Sequence, residues 1–239
     1  GLGDVYKRQG RKEKNLWTDN GTGKKIIYYH ATDERDEARF IIEKIQELQF
    51  KEQAKLKDMA ILYRTNTQSR VFEEMLIKSG MAYTMVGGTK FYERKEIKDI
   101  ISYLRVLFNP YDSLSLLRII NVPRRGIGEA TIARLQAHAA KCGESLFQVV
   151  SKADVVEGLS SRFVSKLNEL AAVLFDLMGE AEEVSVKQLI ENVLHKTGYL
   201  EELELSHSAQ DQSRIDNLQE LLSVAADFVK KAERNNDEP

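Results

Sequence analysis

A single cysteine, Cys142, occurs in 239 residues. One thiol excludes an internal disulfide and fits a reducing compartment, so a cytoplasmic location is expected. The four histidines are scattered and, with that cysteine, show no metal-ligand spacing, so no metal site is expected. No apolar run approaches membrane-spanning length and no signal peptide is visible, so no membrane partner is expected. No Gly-rich phosphate loop ending in Gly-Lys-Ser/Thr occurs. No Ser/His/Asp or Cys/His set stands out either, and no catalytic residue is nominated. Internal repeats and low-complexity tracts are also missing.

What is present is ordinary in amount and uneven in placement. Hydrophobic residues make up 42% and charged residues 30%, enough for one large domain or two smaller ones to bury a core. The net charge is −2, which by itself points to no nucleic-acid partner. Between Lys90 and Arg134, however, nine Lys/Arg stand against five Asp/Glu, whereas from Glu180 to Pro239 fourteen acids stand against six bases. A local basic patch suffices for phosphate contact, because the protein's field acts locally.

Taken in order, Gly1 to Gly10 has no starting Met and no periodicity, and residues 1–10 are expected to be a non-native leader. Lys25–His30, Asp58–Tyr63 and Tyr83–Val86 are β-rich or continuously apolar, and each is expected to be a strand. Between them, a helix capped by Thr32 or Asp33 carries Ala38, Ile41, Ile42, Ile45 and Leu48 on one face, and a second helix runs from Val71 to Ser79. The alternation predicts a parallel α/β unit over residues 11–93. Beyond Gly88 the spacing is helical: Glu96–Leu107, Leu114–Ile120, Glu129–Lys141, Ser145–Val150, Ser161–Met178, Ser185–Lys196 and Gln212–Ala232. The fold expected is therefore α/β plus all-α, with a helical domain over residues 94–239 that is cut at its C-terminus.

Two stretches invite phosphate. Asn121-Val-Pro-Arg-Arg-Gly-Ile-Gly-Glu-Ala-Thr131 joins two helices through a Gly-Ile-Gly hairpin. Gly126 and Gly128 can take conformations barred to residues with a Cβ, and the helix start after Gly128 offers unpaired amides to an anion. Arg124 and Arg125 add charge. The other reading is a plain helix connection with surface arginines. The second stretch, Arg64 to Arg70, leaves the end of an expected strand with a dense set of donors suited to phosphate and sugar oxygens. It can equally be a polar loop that caps the next helix.

Read together, these motifs resemble the UvrD/PcrA/Rep-type superfamily 1 DNA helicases, with wording closest to the PcrA branch. Ala60-Ile-Leu-Tyr-Arg-Thr-Asn-Thr-Gln-Ser-Arg70 is similar to the motif after a core strand of their second RecA-like domain, 2A. Val86-Gly-Gly-Thr-Lys-Phe-Tyr-Glu-Arg-Lys-Glu-Ile-Lys-Asp99 resembles the passage from 2A into the inserted helical domain 2B. Leu117-Arg-Ile-Ile-Asn-Val-Pro-Arg-Arg-Gly-Ile-Gly128 resembles the duplex-contacting hairpin of 2B, and Asn15-Leu-Trp17 and Thr197-Gly-Tyr199 fit in order.

The resemblance implies an ATP-driven 3′ to 5′ helicase serving repair or replication, of which this chain supplies part of 2A and most of 2B. ATP and Mg2+ would be used by the parent and not held by this chain alone, since the phosphate-loop lysine, the metal-binding acids and the arginine finger would lie outside it. Arg64 and Asn66 would hold single-stranded backbone, and Lys90, at the 2A/2B junction, is a further DNA-contact candidate. Arg124, Arg125, Gly126, Gly128 and Thr131 would meet duplex phosphates. Protein partners would dock through 2B. The alternative class is a non-enzymatic helix–hairpin–helix DNA-binding protein. The Phe91-Tyr92 pair is expected in the core rather than stacked on a base, and Cys142 at a helix end without a redox role.

Overall fold

The computed structural model describes Asp19 and residues 21–236, with side chains to residue 229. The leader at residues 1–10 and the motif at Asn15–Trp17 lie outside the described residues. The α-helices are α1 Glu34–Glu52, α2 Ser69–Lys78, α3 Lys95–Phe108, α4 Ser113–Ile119, α5 Glu129–Cys142, α6 Leu146–Val150, α7 Ser161–Glu180, α8 Val186–Lys196, α9 Tyr199–Ser206 and α10 Ala209–Asn236. No described helix is long and apolar enough to cross a membrane.

The expected α/β unit is overturned: among the described residues there is no strand, and the fold is all-α. Residues 25–30, 59–63 and 81–86 run without regular structure. The reason lies in what makes a strand. An apolar run becomes one only when a neighbour pairs its N–H and C=O groups, and no ladder joins these segments. Two of them still show a period of two in burial. Met59, Ile61 and Tyr63, with Met81 and Tyr83, pack on a small cluster between α1 and α2 built from Ala38, Ile42, Ile45, Val71, Phe72 and Leu76. The alternate positions face outward, with Leu62 94% and Val86 92% exposed. A continuous apolar run thus reads here as one packed face and one open face.

The helices follow their local signals closely. Asp33 caps α1 by accepting the Asp36 N–H at 2.7 Å, and Asp112 caps α4 by accepting from Ser115 N at 3.0 Å. Gly143 ends α5 in the left-handed region at φ 68. Helix α3 is the axis of the larger part: Ile97, Ile100, Tyr103 and Val106 are all fully buried and repeat at helical spacing, with α4, α7, α8 and α10 packed around them. The main core runs from Phe91 to Ala225 and includes Ile127 of the hairpin. As expected, Phe91 joins this core, while Tyr92 is half-exposed and sends its hydroxyl to Glu74. Cys142 is exposed at the end of α5.

Two buried arginines tie the small cluster to the large one. Arg94 donates to Asn217 Oδ1 at 2.7 Å and to the Asn66 carbonyl and Ser69 Oγ, both at 2.9 Å. Arg70 lies among Glu74, Glu34 and Glu220 of α10. A buried guanidinium is tolerated only when its donors are met, and these are.

Candidate nucleic-acid interface

The hairpin between α4 and α5 is held from behind. Asn121 Oδ1 accepts the Arg125 N–H at 2.9 Å and the Ile127 N–H at 3.1 Å, closing the turn. Ile127, only 1% exposed, plugs into the main core and turns its neighbours outward. Gly126 sits at φ 77, where a side chain costs strain of about 1–2 kcal/mol. Gly128 does not: at φ −93 it is extended backbone that any residue adopts, and a Cβ there would meet open space. Of the two glycines singled out in the sequence, one is demanded by the backbone and the other leaves room.

The two arginines separate sharply. The Arg125 guanidinium turns inward, where Nη1 donates to the Ile119 carbonyl at 3.0 Å and to the Pro123 carbonyl at 3.3 Å, and Nη2 to Tyr103 Oη at 2.8 Å. Tyr103 in turn donates to the Val122 carbonyl at 2.5 Å. Burial pushes the Tyr103 phenol up, so it remains a protonated donor. Arg125 thus satisfies the carbonyls left over where α4 ends. Arg124 is exposed, and its guanidinium has no partner among the described residues. Its backbone N–H donates to Glu202 Oε2 of α9 at 2.7 Å.

The remaining donors of the turn face solvent. Among the described residues no protein acceptor meets the N–H of Gly126 or Gly128. Among the described residues no side chain caps the Gly128 end of α5, whose 14 residues align their dipoles toward it. Thr131 is 6% exposed, so its hydroxyl has little access to a ligand. The hairpin as built offers one free guanidinium, two amides and a helix N-terminus on a rigid base.

The other nominated residues form a second group. Gln68 Oε1 accepts the N–H groups of Arg64 at 2.9 Å and Thr65 at 3.1 Å, shaping the loop. Arg64 is exposed with a guanidinium free of partners among the described residues, and Asn66 is exposed. Ser69 and Arg70 are 1% and 3% exposed, so they serve the interior. A Cβ added at Gly88 would lie 3.9 Å from Asn66 Oδ1, and Lys90 places its Nζ 4.9 Å from the Tyr83 ring. Asn66 also borders a polar cleft of about 540 Å³ lined by Lys95, Lys98, Arg118 and Arg214 among others. Asn66 shares this cleft with Thr89, the neighbour of Lys90, and Arg64 lies two residues before Asn66; among the described residues no hydrogen bond joins these side chains to the hairpin.

Sequence reading missed Asn121, Tyr103, Arg94, Glu202 and the whole of α9. The last had a signal: Gly198 in the left-handed region at φ 75 restarts the chain after α8, followed at once by Tyr-Leu-Glu-Glu.

The chain belongs to the UvrD-like helicase C-terminal domain family, whose model matches residues 4–238. It is similar to the ATP-dependent DNA helicase PcrA of Bacillus subtilis (strain 168), 44% identical over 229 residues, which is 96% of this chain and 31% of that protein. PcrA of Staphylococcus aureus (strain Mu50 / ATCC 700699) is 46% identical over 218 residues, 91% of this chain and 30% of the relative. The chain thus spans about a third of the length of the curated relatives it matches.

Proposed function

We propose that this chain is the DNA-gripping portion of an ATP-driven 3′ to 5′ DNA helicase, and that its hairpin at 121–128 holds duplex backbone. The observation that carries this is the division of labour in the hairpin. Asn121, Arg125 and Ile127 fix its shape from within, while Arg124 and the amides of Gly126 and Gly128 stay open. Such a surface meets phosphate oxygens without reading base edges, so it grips any sequence. Arg64, Asn66 and Lys90 would meet the single strand at the other group. The separation of the main core, which begins at Phe91, from the small clusters between α1 and α2 supports a boundary near residue 93. Family membership and the PcrA relatives support the helicase as parent.

The residues present do not fit ATP and Mg2+. No Gly-Lys-Ser/Thr loop occurs in the sequence, and among the described residues no group of three or more His, Cys, Asp or Glu could hold a metal ion. No step of ATP hydrolysis is assigned to them, and ATP use belongs to the parent. The test is a pair of titrations across a salt series, wild type against Arg124→Ala, with tailed duplex and with plain single strand. A loss on duplex alone, with a log–log salt slope shallower by about 0.9, is expected. Equal losses on both substrates would remove the duplex role.

A further inference from the structure

One amide of the hairpin already holds an anion. Glu202 Oε2 sits 2.7 Å from the Arg124 N–H, from a residue 78 positions downstream. The carboxylate is placed there by a fixed element. Tyr199 and Leu203, 5% and 9% exposed, form the inward face of α9 one turn apart, and Glu202 lies beside them on its edge. The Tyr199 hydroxyl donates to Asp99 Oδ2 of α3 at 3.0 Å, pinning the start of α9. Glu201, Glu202 and Glu204 share α9 with no lysine or arginine, so the helix carries charge of the same sign as DNA.

We infer that Glu202 is an intramolecular competitor for the duplex phosphate at the hairpin. This rests on the reading of the hairpin as a duplex-backbone site. A carboxylate oxygen matches a phosphate oxygen in charge and in acceptor chemistry, and both form charge-assisted bonds to an amide. When a phosphate takes the Arg124 N–H, one such bond replaces another, and the donor adds little net affinity. The displaced carboxylate is exposed and swings into water, but α9 keeps it close enough to repel the bound phosphate. Glu202 thereby weakens the grip without altering the shape of the turn, which Asn121 and Arg125 set. A hairpin so tuned releases duplex readily, as a site must when the DNA moves past it.

A carboxylate that merely braced the turn would act with the opposite sign, and substitution separates the two. Glu202→Gln keeps an acceptor for the Arg124 N–H and removes the charge, while Glu202→Ala removes both. The 239-residue chain and its Glu202→Gln, Glu202→Ala and Arg124→Ala variants are titrated with mixed-sequence duplex and with plain single strand across a salt series. Both Glu202 variants are expected to bind duplex tighter, by roughly five-fold at low salt, the size of a unit-charge repulsion across about 4 Å of water-like medium. That gain shrinks as salt rises, and single-strand affinity stays unchanged. Weaker duplex binding by Glu202→Ala with wild-type binding by Glu202→Gln would make the residue a brace and overturn the competitor role. Unchanged affinity in both variants, with Arg124→Ala still losing duplex binding, overturns the inference alone. No loss in Arg124→Ala overturns the hairpin reading and the inference with it.

Discussion

The sharpest consequence of the hairpin geometry concerns two adjacent arginines that look interchangeable in the sequence. Arg125→Ala deletes a guanidinium that donates to the Ile119 and Pro123 carbonyls and to Tyr103 Oη. Hydrogen bonds from a charged donor contribute about 1.5–3 kcal/mol each when buried. Arg125 is only half-buried and water can reach part of the site, so the whole loss is discounted to about 2 kcal/mol. For a chain of this size that lowers Tm by roughly 4–8 °C. Arg124→Ala removes an exposed guanidinium with no partner among the described residues, so stability should stay within about 0.5 kcal/mol. Its effect should appear instead in the duplex salt slope, which should become shallower because one phosphate is no longer neutralised. Calorimetry of both variants beside duplex titrations reads the difference. Equal melting temperatures, with both variants losing the same salt slope, would refute the division and return both arginines to direct phosphate binding.

Three further outcomes are expected. Gly126→Ala should destabilise by about 1–2 kcal/mol because φ 77 is unfavourable for a residue with a Cβ, whereas Gly128→Ser should stabilise α5 by a few tenths of a kcal/mol through a new cap while weakening duplex binding. Thermal melts paired with titrations check both, and equal destabilisation by the two would contradict the backbone geometry. Arg64→Ala should leave Tm unchanged and flatten the single-strand salt slope by about 0.7; in the full-length parent, an unchanged slope with weaker nucleotide binding would assign that free guanidinium to a nucleotide phosphate instead. Arg94→Ala should cost about 3 kcal/mol, read as a lower urea midpoint, because it strands the buried Asn217 and Ser69 side chains in the interior; a midpoint within error of wild type would show that the two clusters do not depend on this link.

The helical part was legible in the sequence because its signals are local. Caps at Asp33 and Asp112, the stop at Gly143 and the spacing of Ile97, Ile100 and Leu107 act within a few residues, and the helices begin and end close to where they predict. The motifs at 60–70, 86–99 and 117–128 likewise pointed to the family to which the chain belongs. The α/β expectation failed because strand formation is not local. Residues 58–63 have the composition of a buried strand, yet no neighbour pairs their backbone among the described residues and half their side chains stay open. The same limit applies at the hairpin. Residue types alone make Arg124 and Arg125 equivalent, and Gly126 and Gly128 as well. Only the fold decides between them, because the carbonyl end of α4 and the Tyr103 hydroxyl accept the Arg125 guanidinium, the Asn121 amide oxygen closes the turn, and Glu202 meets the Arg124 N–H from 78 residues away.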